Sequence, residues 1–313
     1  MKSEQIKIVI YGFGRMGLTH YAILNQLIEK VNFTFVDVDK RLKIFAQKNV
    51  KAQFVKDDKQ LKERFDYALI CTPPMYHVSI MENCLKRGDE NIFVEKPFGG
   101  VNNDFSKIKE KQEKVRIGYV MRFNPIIQWV KENIAVKDVL KVQGSYFSNT
   151  IEKKPQGWRN GTFSGVSNEM GAHILDLAVY LFGLECPIIQ KKSIQSIISD
   201  VDDIVDIEAS ENDIYYHFRF DWINKAYRKP VFNLKVTLKD GTLYKIDQQK
   251  VETFKNEKME KSVSSVDLSQ DVPFYLRGID FTKQMEDLIG SQSTLATVDD
   301  ALVTRHFIKN ILT

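Results

Sequence analysis

Two short clusters in this 313-residue chain carry side chains able to move protons and steady a negative oxygen. Glu95-Lys96-Pro97 closes an apolar run, Ile92-Phe93-Val94, while Glu169, His173 and Asp176 recur further on at helical spacing. An ammonium group at the end of a buried strand can hydrogen-bond the oxygen of a reacting alcohol and stabilise the charge that develops there. One helical turn separates Glu169 from His173, so the carboxylate can orient the imidazole and fix which ring nitrogen meets a substrate. Lys96, His173 and Glu169 are therefore the candidate catalytic residues. Each type also has a plain structural use. Isolated Glu-Lys-Pro triplets are common solvated loops, and helical histidines usually pack and find a hydrogen bond. The elements around them decide.

Upstream of Lys96 the chain reads as a dinucleotide-binding unit. Ile6 to Tyr11 is an apolar strand, followed at once by Gly12-Phe13-Gly14-Arg15-Met16-Gly17 and a helix through His20, Ile23 and Leu27. In that order the first glycine permits a tight turn, the second lets backbone approach a pyrophosphate, and the third lets the helix pack closely. The helix start then favours an anion through its unpaired N–H groups, with Arg15 assisting. A second strand, Phe33 to Val36, ends in Asp37, 20 residues beyond Gly17. A carboxylate there accepts from both adenosine ribose hydroxyls and repels a 2′-phosphate, which favours NAD over NADP; Lys40 and Arg41 pull the other way. A third strand, Tyr67 to Ile70, runs into Cys71-Thr72-Pro73-Pro74 and a helix from His77, a loop expected to border the cofactor. Strand ends on one edge of a parallel sheet are where ligands collect, which is what lifts Lys96 out of the ordinary.

These motifs, with Arg122-Phe123-Asn124-Pro125, stand in the order and at the spacing of the glucose-fructose oxidoreductase and inositol dehydrogenase family, which the chain resembles. The resemblance implies a Rossmann domain (residues 1–122) followed by an α+β domain (residues 123–313) with an open, mainly antiparallel sheet, an α/β protein overall. It also implies that Gly12 to Gly17, Asp37, Cys71, Thr72, Pro73, His77, Glu95 and Lys96 line the cofactor. Glu169-x-Gly171-x-His173-x-x-Asp176 resembles the family's second-domain signature, in which the histidine handles the substrate proton and the first position is usually aspartate. Trp158-Arg159 resembles a pair that borders cofactor and substrate. Arg122, Asn124 and Asp176 join them as expected substrate ligands. The free face of the second sheet often forms the oligomer contact in this family, implying a homodimer or homotetramer.

From the residues themselves, Val139 to Phe147, Ile194 to Ile198, Asp213 to Phe220 and Val231 to Leu238 alternate as antiparallel strands. A helix from Ser164 to near Gly183 carries an apolar stripe, Met170, Ile174, Leu177 and Leu181, with Glu169, His173, Asp176 and Tyr180 beside it. Lys153, Lys154, Arg159 and Arg122 would suit an anionic substrate. Phe274 to Ile289 and a helix capped near Thr297 close the chain, and a C-terminal helix is able to pack back on the first domain. The cleft between the halves is the expected site.

Composition narrows the function classes. The 45 basic and 41 acidic residues nearly balance, which argues against nucleic acid as a partner. Three widely spaced cysteines form neither a metal nor a redox motif, and the first apolar run is too short for a membrane span, so a cytoplasmic location is expected. The expected activity is hydride transfer between NAD and a secondary alcohol or ketone of a sugar, inositol or sugar nucleotide. A non-catalytic NAD-binding sensor of the same fold is the alternative, and reduction of a C=N or C=C bond a third.

Overall fold

Strands rich in Ile, Val, Leu and Phe build the first half, because a parallel sheet covered on both faces needs near-continuous apolar runs. Ile8, Val9, Ile10, Leu69, Ile70, Ile92, Phe93 and Val94 are completely buried. The structure, a computed structural model, describes residues 5–39, 50–100, 102–161, 163–268 and 276–313. In chain order these form β1 (Ile6–Tyr11), α1 (Arg15–Leu27), β2 (Val31–Val36), β3 (Ala52–Val55), β4 (Tyr67–Ile70), α2 (His77–Arg87), β5 (Asn91–Glu95), β6 (Val115–Gly118), α3 (Pro125–Asn133), β7 (Val139–Phe147), α4 (Ala172–Phe182), β8 (Ile188–Gln195), β9 (Ile204–Glu211), β10 (Ile214–Asp221), β11 (Val231–Leu238), β12 (Leu243–Ile246), β13 (Lys250–Lys255), β14 (Lys258–Ser264), α5 (Ile279–Ile289) and α6 (Val298–Leu312).

They group into two compact units, Met1–Val120 with Val272–Val298, and Met121–Asp271 with Asp299–Thr313. The first unit holds a six-stranded sheet of order β3-β2-β1-β4-β5-β6, parallel throughout. Its register puts Tyr11 opposite both Val36 and Ile70, and Ile70 opposite Val94. Gly12, Asp37, Cys71 and Glu95 therefore leave the sheet side by side on one edge. Strand order reverses between β1 and β4, the position where such sheets bind ligands. The late segment bearing α5 belongs to this unit: Ile117 donates its N–H to the Ala296 carbonyl at 3.0 Å, and the Gln292 amide donates to Asn91 Oδ1 at 2.9 Å. The expected helix start at Phe274 lies outside the described residues, and α5 begins at Ile279.

The second unit holds an eight-stranded sheet of order β14-β13-β12-β11-β7-β10-β9-β8. β10 and β7 run parallel and their neighbours antiparallel, so the sheet is mixed, mostly antiparallel. Tyr216, Phe218 and Phe220 of β10, Ile207 of β9 and Leu234 of β11 point to the buried face, where α4 lies with Ile174, Leu177 and Leu181 also buried. The strand expected at Ile194 to Ile198 is instead β8, which ends at Gln195. Its residues are exposed on both faces, as an edge strand's can be, so no alternation marked it.

Candidate functional site

The fingerprint loop is crowded at its first and last glycines and open at the middle one. Gly12 sits at φ +88, and a Cβ there would lie 2.9 Å from the Cys71 carbonyl oxygen; a Cβ on Gly17 would lie 2.0 Å from the Gly12 oxygen; around Gly14 nothing lies within 4 Å. The turn and the packing are tight, and the middle is open. No side chain caps the 13-residue α1, so its first N–H groups remain available to a phosphate. Phe13 is buried edge-on against Phe35 and Phe54, leaving its backbone to the loop: the Phe13 N–H donates to Asp37 Oδ2 at 2.7 Å. Asp37 Oδ1 accepts from the Asp39 N–H at 2.8 Å, and each carboxylate oxygen keeps a lone pair for a ribose hydroxyl. Lys40 and Arg41 lie outside the described residues. Below the loop, the Tyr11 hydroxyl donates to Asp58 Oδ1 at 2.6 Å and accepts from Arg87 at 2.8 Å, fixing the end of β1.

The neighbouring loops are braced by buried histidines. His77 is fully buried, with Nδ1 2.9 Å from the Pro97 oxygen and Nε2 2.8 Å from the Thr72 oxygen. Burial holds its pKa below the usual value, so the neutral ring donates to one carbonyl at a time. His77 therefore ties the loop after β4 to the loop after β5 and reaches the cofactor site through backbone. His20, also fully buried, meets Glu95 Oε1 through Nε2 at 2.7 Å. Glu95 is thus held from behind while Lys96 follows it past the end of β5. Burial and the charge of Glu95 push the Cys71 thiol well up, which leaves it protonated and unreactive. Thr72 Oγ1 is buried without a hydrogen-bond partner. An open glycine, an uncapped helix start, an orphan hydroxyl and a ribose-ready carboxylate on one sheet edge fit a dinucleotide.

Sequence reading missed one cation in this unit. Arg277 stands 5.1 Å over the Phe281 ring, and burial together with the like charge of Arg15 holds its guanidinium below the usual value while Glu95 pulls it back. Only the fold brings a residue so late in the chain near the fingerprint.

In the second unit, three of the expected substrate ligands are engaged with the protein. Arg122 and Asp176 are both buried. Arg122 Nε and Nη2 donate to the two Asp176 oxygens at 2.9 and 2.6 Å, Nη1 donates to Asp300 at 3.2 Å, and the guanidinium lies 4.8 Å over the Tyr180 ring. Burial pushes the Asp176 carboxyl up to about 6, opposed by Arg122; a two-pronged fork at these distances marks an ion pair. Asn124 caps α3, its Oδ1 accepting from the Ile126 N–H at 2.9 Å, while its amide donates to the Gln248 carbonyl at 3.2 Å. Arg122, Asp176 and Asn124 thus already hold protein partners, Arg122 bracing α4 against α6 and Asn124 tying the start of α3 to the turn between β12 and β13. Tyr180, read as part of the reactive stripe, belongs to the same brace.

Glu169 and His173 stand apart from it. The helix expected from Ser164 opens instead with a π turn over Ser167–Gly171, and regular α-helix starts at Ala172. Glu169 sits in the wide turn, where π geometry is often found at functional sites. Its carboxylate accepts from Ser164 Oγ at 2.7 Å and lies 3.9 Å from Arg159 Nε. Arg159 in turn stands 5.4 Å over the Trp158 ring. His173 is 9% exposed, its ring 6.3 Å from Tyr146; alternation along β7 was the only sequence hint to that tyrosine. Lys154 pairs with Asp200 at 2.6 Å, so much of the positive charge expected to meet an anionic substrate already has a carboxylate beside it.

Residues 6–119 match the family described as an oxidoreductase family with an NAD-binding Rossmann fold, GFO_IDH_MocA, the family the motifs resemble. No curated protein matches the chain. Among solved structures it is similar to a levoglucosan dehydrogenase in complex with NADH and levoglucosan (TM-score 0.82, 16% identity, 99% of this chain and 97% of that one). A UDP-N-acetylglucosamine 3-dehydrogenase from Acidithiobacillus ferrooxidans is similar too (0.77, 15%, 99% and 97%), as is an oxidoreductase from Agrobacterium radiobacter in complex with NAD+, L-tartaric acid and magnesium (0.77, 15%, 98% and 95%). At such identities the likeness establishes the fold. Among the described residues, no helix is long and apolar enough to cross a membrane.

Proposed function

We propose that this chain is an NAD-dependent dehydrogenase acting on a secondary alcohol or ketone of a sugar, inositol or sugar nucleotide. The observation that carries the reading is the emergence of Lys96 past the same sheet edge as the fingerprint loop, in a segment matching an NAD-binding oxidoreductase family. The neighbours named for sugar and sugar-nucleotide dehydrogenases support the substrate class. NAD, when bound, accepts or delivers the hydride. Around it, the α1 N-terminus and Arg15 would hold the phosphates, Asp37 the adenosine ribose, and Thr72 Oγ1 a neighbouring polar group; the Asp37 carboxylate disfavours NADP.

Lys96 hydrogen-bonds the substrate oxygen and stabilises the negative charge that grows on it. His173 takes the hydroxyl proton in oxidation and returns it in reduction. Glu169, held by Ser164, balances the imidazolium so formed or binds a substrate hydroxyl, and Trp158 with Arg159 borders the ring. Homodimers or homotetramers, joined through the exposed sheet face of the second unit, complete the reading, and the free cysteines suit a reducing, cytoplasmic setting.

The test is a thermal-shift screen of sugars, inositols and sugar nucleotides with NAD present, followed by turnover read from reduced-nicotinamide absorbance. A ligand selective for the folded state raises the apparent melting temperature. Stabilisation and turnover with at least one polyol are expected. NAD binding with no turnover across the panel would overturn the reading and favour a sensor, and no NAD binding would remove both.

A further inference from the structure

The loop between β8 and β9 contains three aspartates, and each holds a different segment. Asp203 folds the loop on itself: its Oδ2 accepts from the N–H groups of Ile197, Ile198 and Ser199 at 2.5, 2.6 and 3.1 Å, and its Oδ1 accepts from Ser199 Oγ at 2.6 Å and from the buried Trp222 indole at 2.7 Å. Asp200 binds the segment carrying Trp158 and Arg159, through Lys154 and through a reciprocal pair of hydrogen bonds with Asn160. Asp202 is 5% exposed, and its Oδ2 accepts from the Ser167 N–H at 2.7 Å. Its carbonyl accepts from the Val166 N–H at 2.8 Å. Gly165 has φ +105, and a Cβ there would lie 1.9 Å from Asp202 Oδ1. Backbone and carboxylate are fitted to one another at the first residue of the π turn.

The fit matters because the helix is pinned at two places. Asp176, locked to Arg122, fixes α4 downstream, and Asp202 fixes Ser167 upstream; Glu169 rides between them. Tightening the π turn into α-helix removes one residue from the turn, a rotation of roughly 100° for everything before it relative to His173. A carboxylate on the first N–H is what a helix start favours.

We infer that Asp202 is a positioning residue that fixes the register of Glu169 against His173 by capping the π turn. This rests on reading those two residues as the acid–base pair. It is tested without turnover, by NMR of the ring resonances of the five histidines in the full-length protein. Asp202→Ala should displace the His173 signals and move its titration midpoint by about half a pH unit or more, since a shifted carboxylate changes the imidazole's field. His20, His77, His217 and His306 serve as controls that a general loosening would disturb as well. Gly165→Ala should reproduce the effect, and Asp202→Asn, which keeps an acceptor for Ser167, should restore the wild-type signals. In the wild type, the Ser167 amide should exchange at least about 100-fold more slowly than an open chain. Unchanged His173 signals in both alanine variants, equal disturbance of all five histidines, or a Ser167 amide exchanging at the open-chain rate would each overturn the assignment. A protein that proves not to be a dehydrogenase would fail the proposed function while leaving these readings interpretable.

Discussion

The two units use the same residue types in opposite ways. In the first, backbone makes the site: glycines, an uncapped helix and loop carbonyls do the shaping, while His20 and His77 stand behind as braces. In the second, side chains hold side chains, and Arg122, Asp176 and Asn124 are consumed in joining helices before any ligand arrives. A backbone site announces itself through glycine spacing. A side-chain site hides among structural ion pairs built from the same residues.

The widest separation between reactive and bracing residues should come from turnover. Lys96→Ala and His173→Ala should each slow it by roughly 100-fold to 10,000-fold with NAD binding kept, measured with the polyol the screen identifies; wild-type turnover in either variant would remove that residue from its role. Arg122→Ala or Asp176→Ala should instead cost about 3–5 kcal/mol of stability by stranding a buried charge, seen in denaturant melts. If the melts were unmoved and only KM rose, the pair would be substrate ligands after all and the contrast would collapse.

A smaller effect belongs to Asp202. Burial raises its pKa from 3.8 to about 6, so the folded state holds its proton more tightly than the unfolded chain does. Its stabilising share is complete below about pH 4 and lost as pH rises through about 6, by at most ~1.4 kcal/mol per pH unit. Asp202→Asn should flatten that slope in melts taken across the window; an unchanged slope would assign it elsewhere. Least of all, Arg277→Ala should weaken NAD several-fold, about 1 kcal/mol, with the difference fading in high salt. Equal affinity at low salt would remove Arg277 from the first unit's site.

Much of the first unit was legible because its signals are local. Gly12 to Gly17 and Asp37 lie within one strand–helix–strand unit, and register carries them to one edge without help from distant residues. Arg277 was not legible, since nothing in its surroundings marks a residue more than two hundred positions from the fingerprint. In the second unit the apolar stripe of Met170, Ile174, Leu177 and Leu181 was read correctly, and the polar stripe beside it gained partners that its spacing does not show. Periodicity reports which residues share a face; it does not report that Asp176 on that face meets Arg122, or that the turn holding Glu169 is π rather than α. Those outcomes depend on partners far away in sequence.

The pairing of Ile117 with Ala296 has a consequence for how the chain is made. The outer strand of the parallel sheet emerges from the ribosome long before the residue that bonds to its rim, with most of the second unit to be synthesised in between, roughly 10 to 40 seconds at ordinary elongation rates. For that interval the rim of β6 stands as an unpaired strand edge, open to misassociation with another polypeptide.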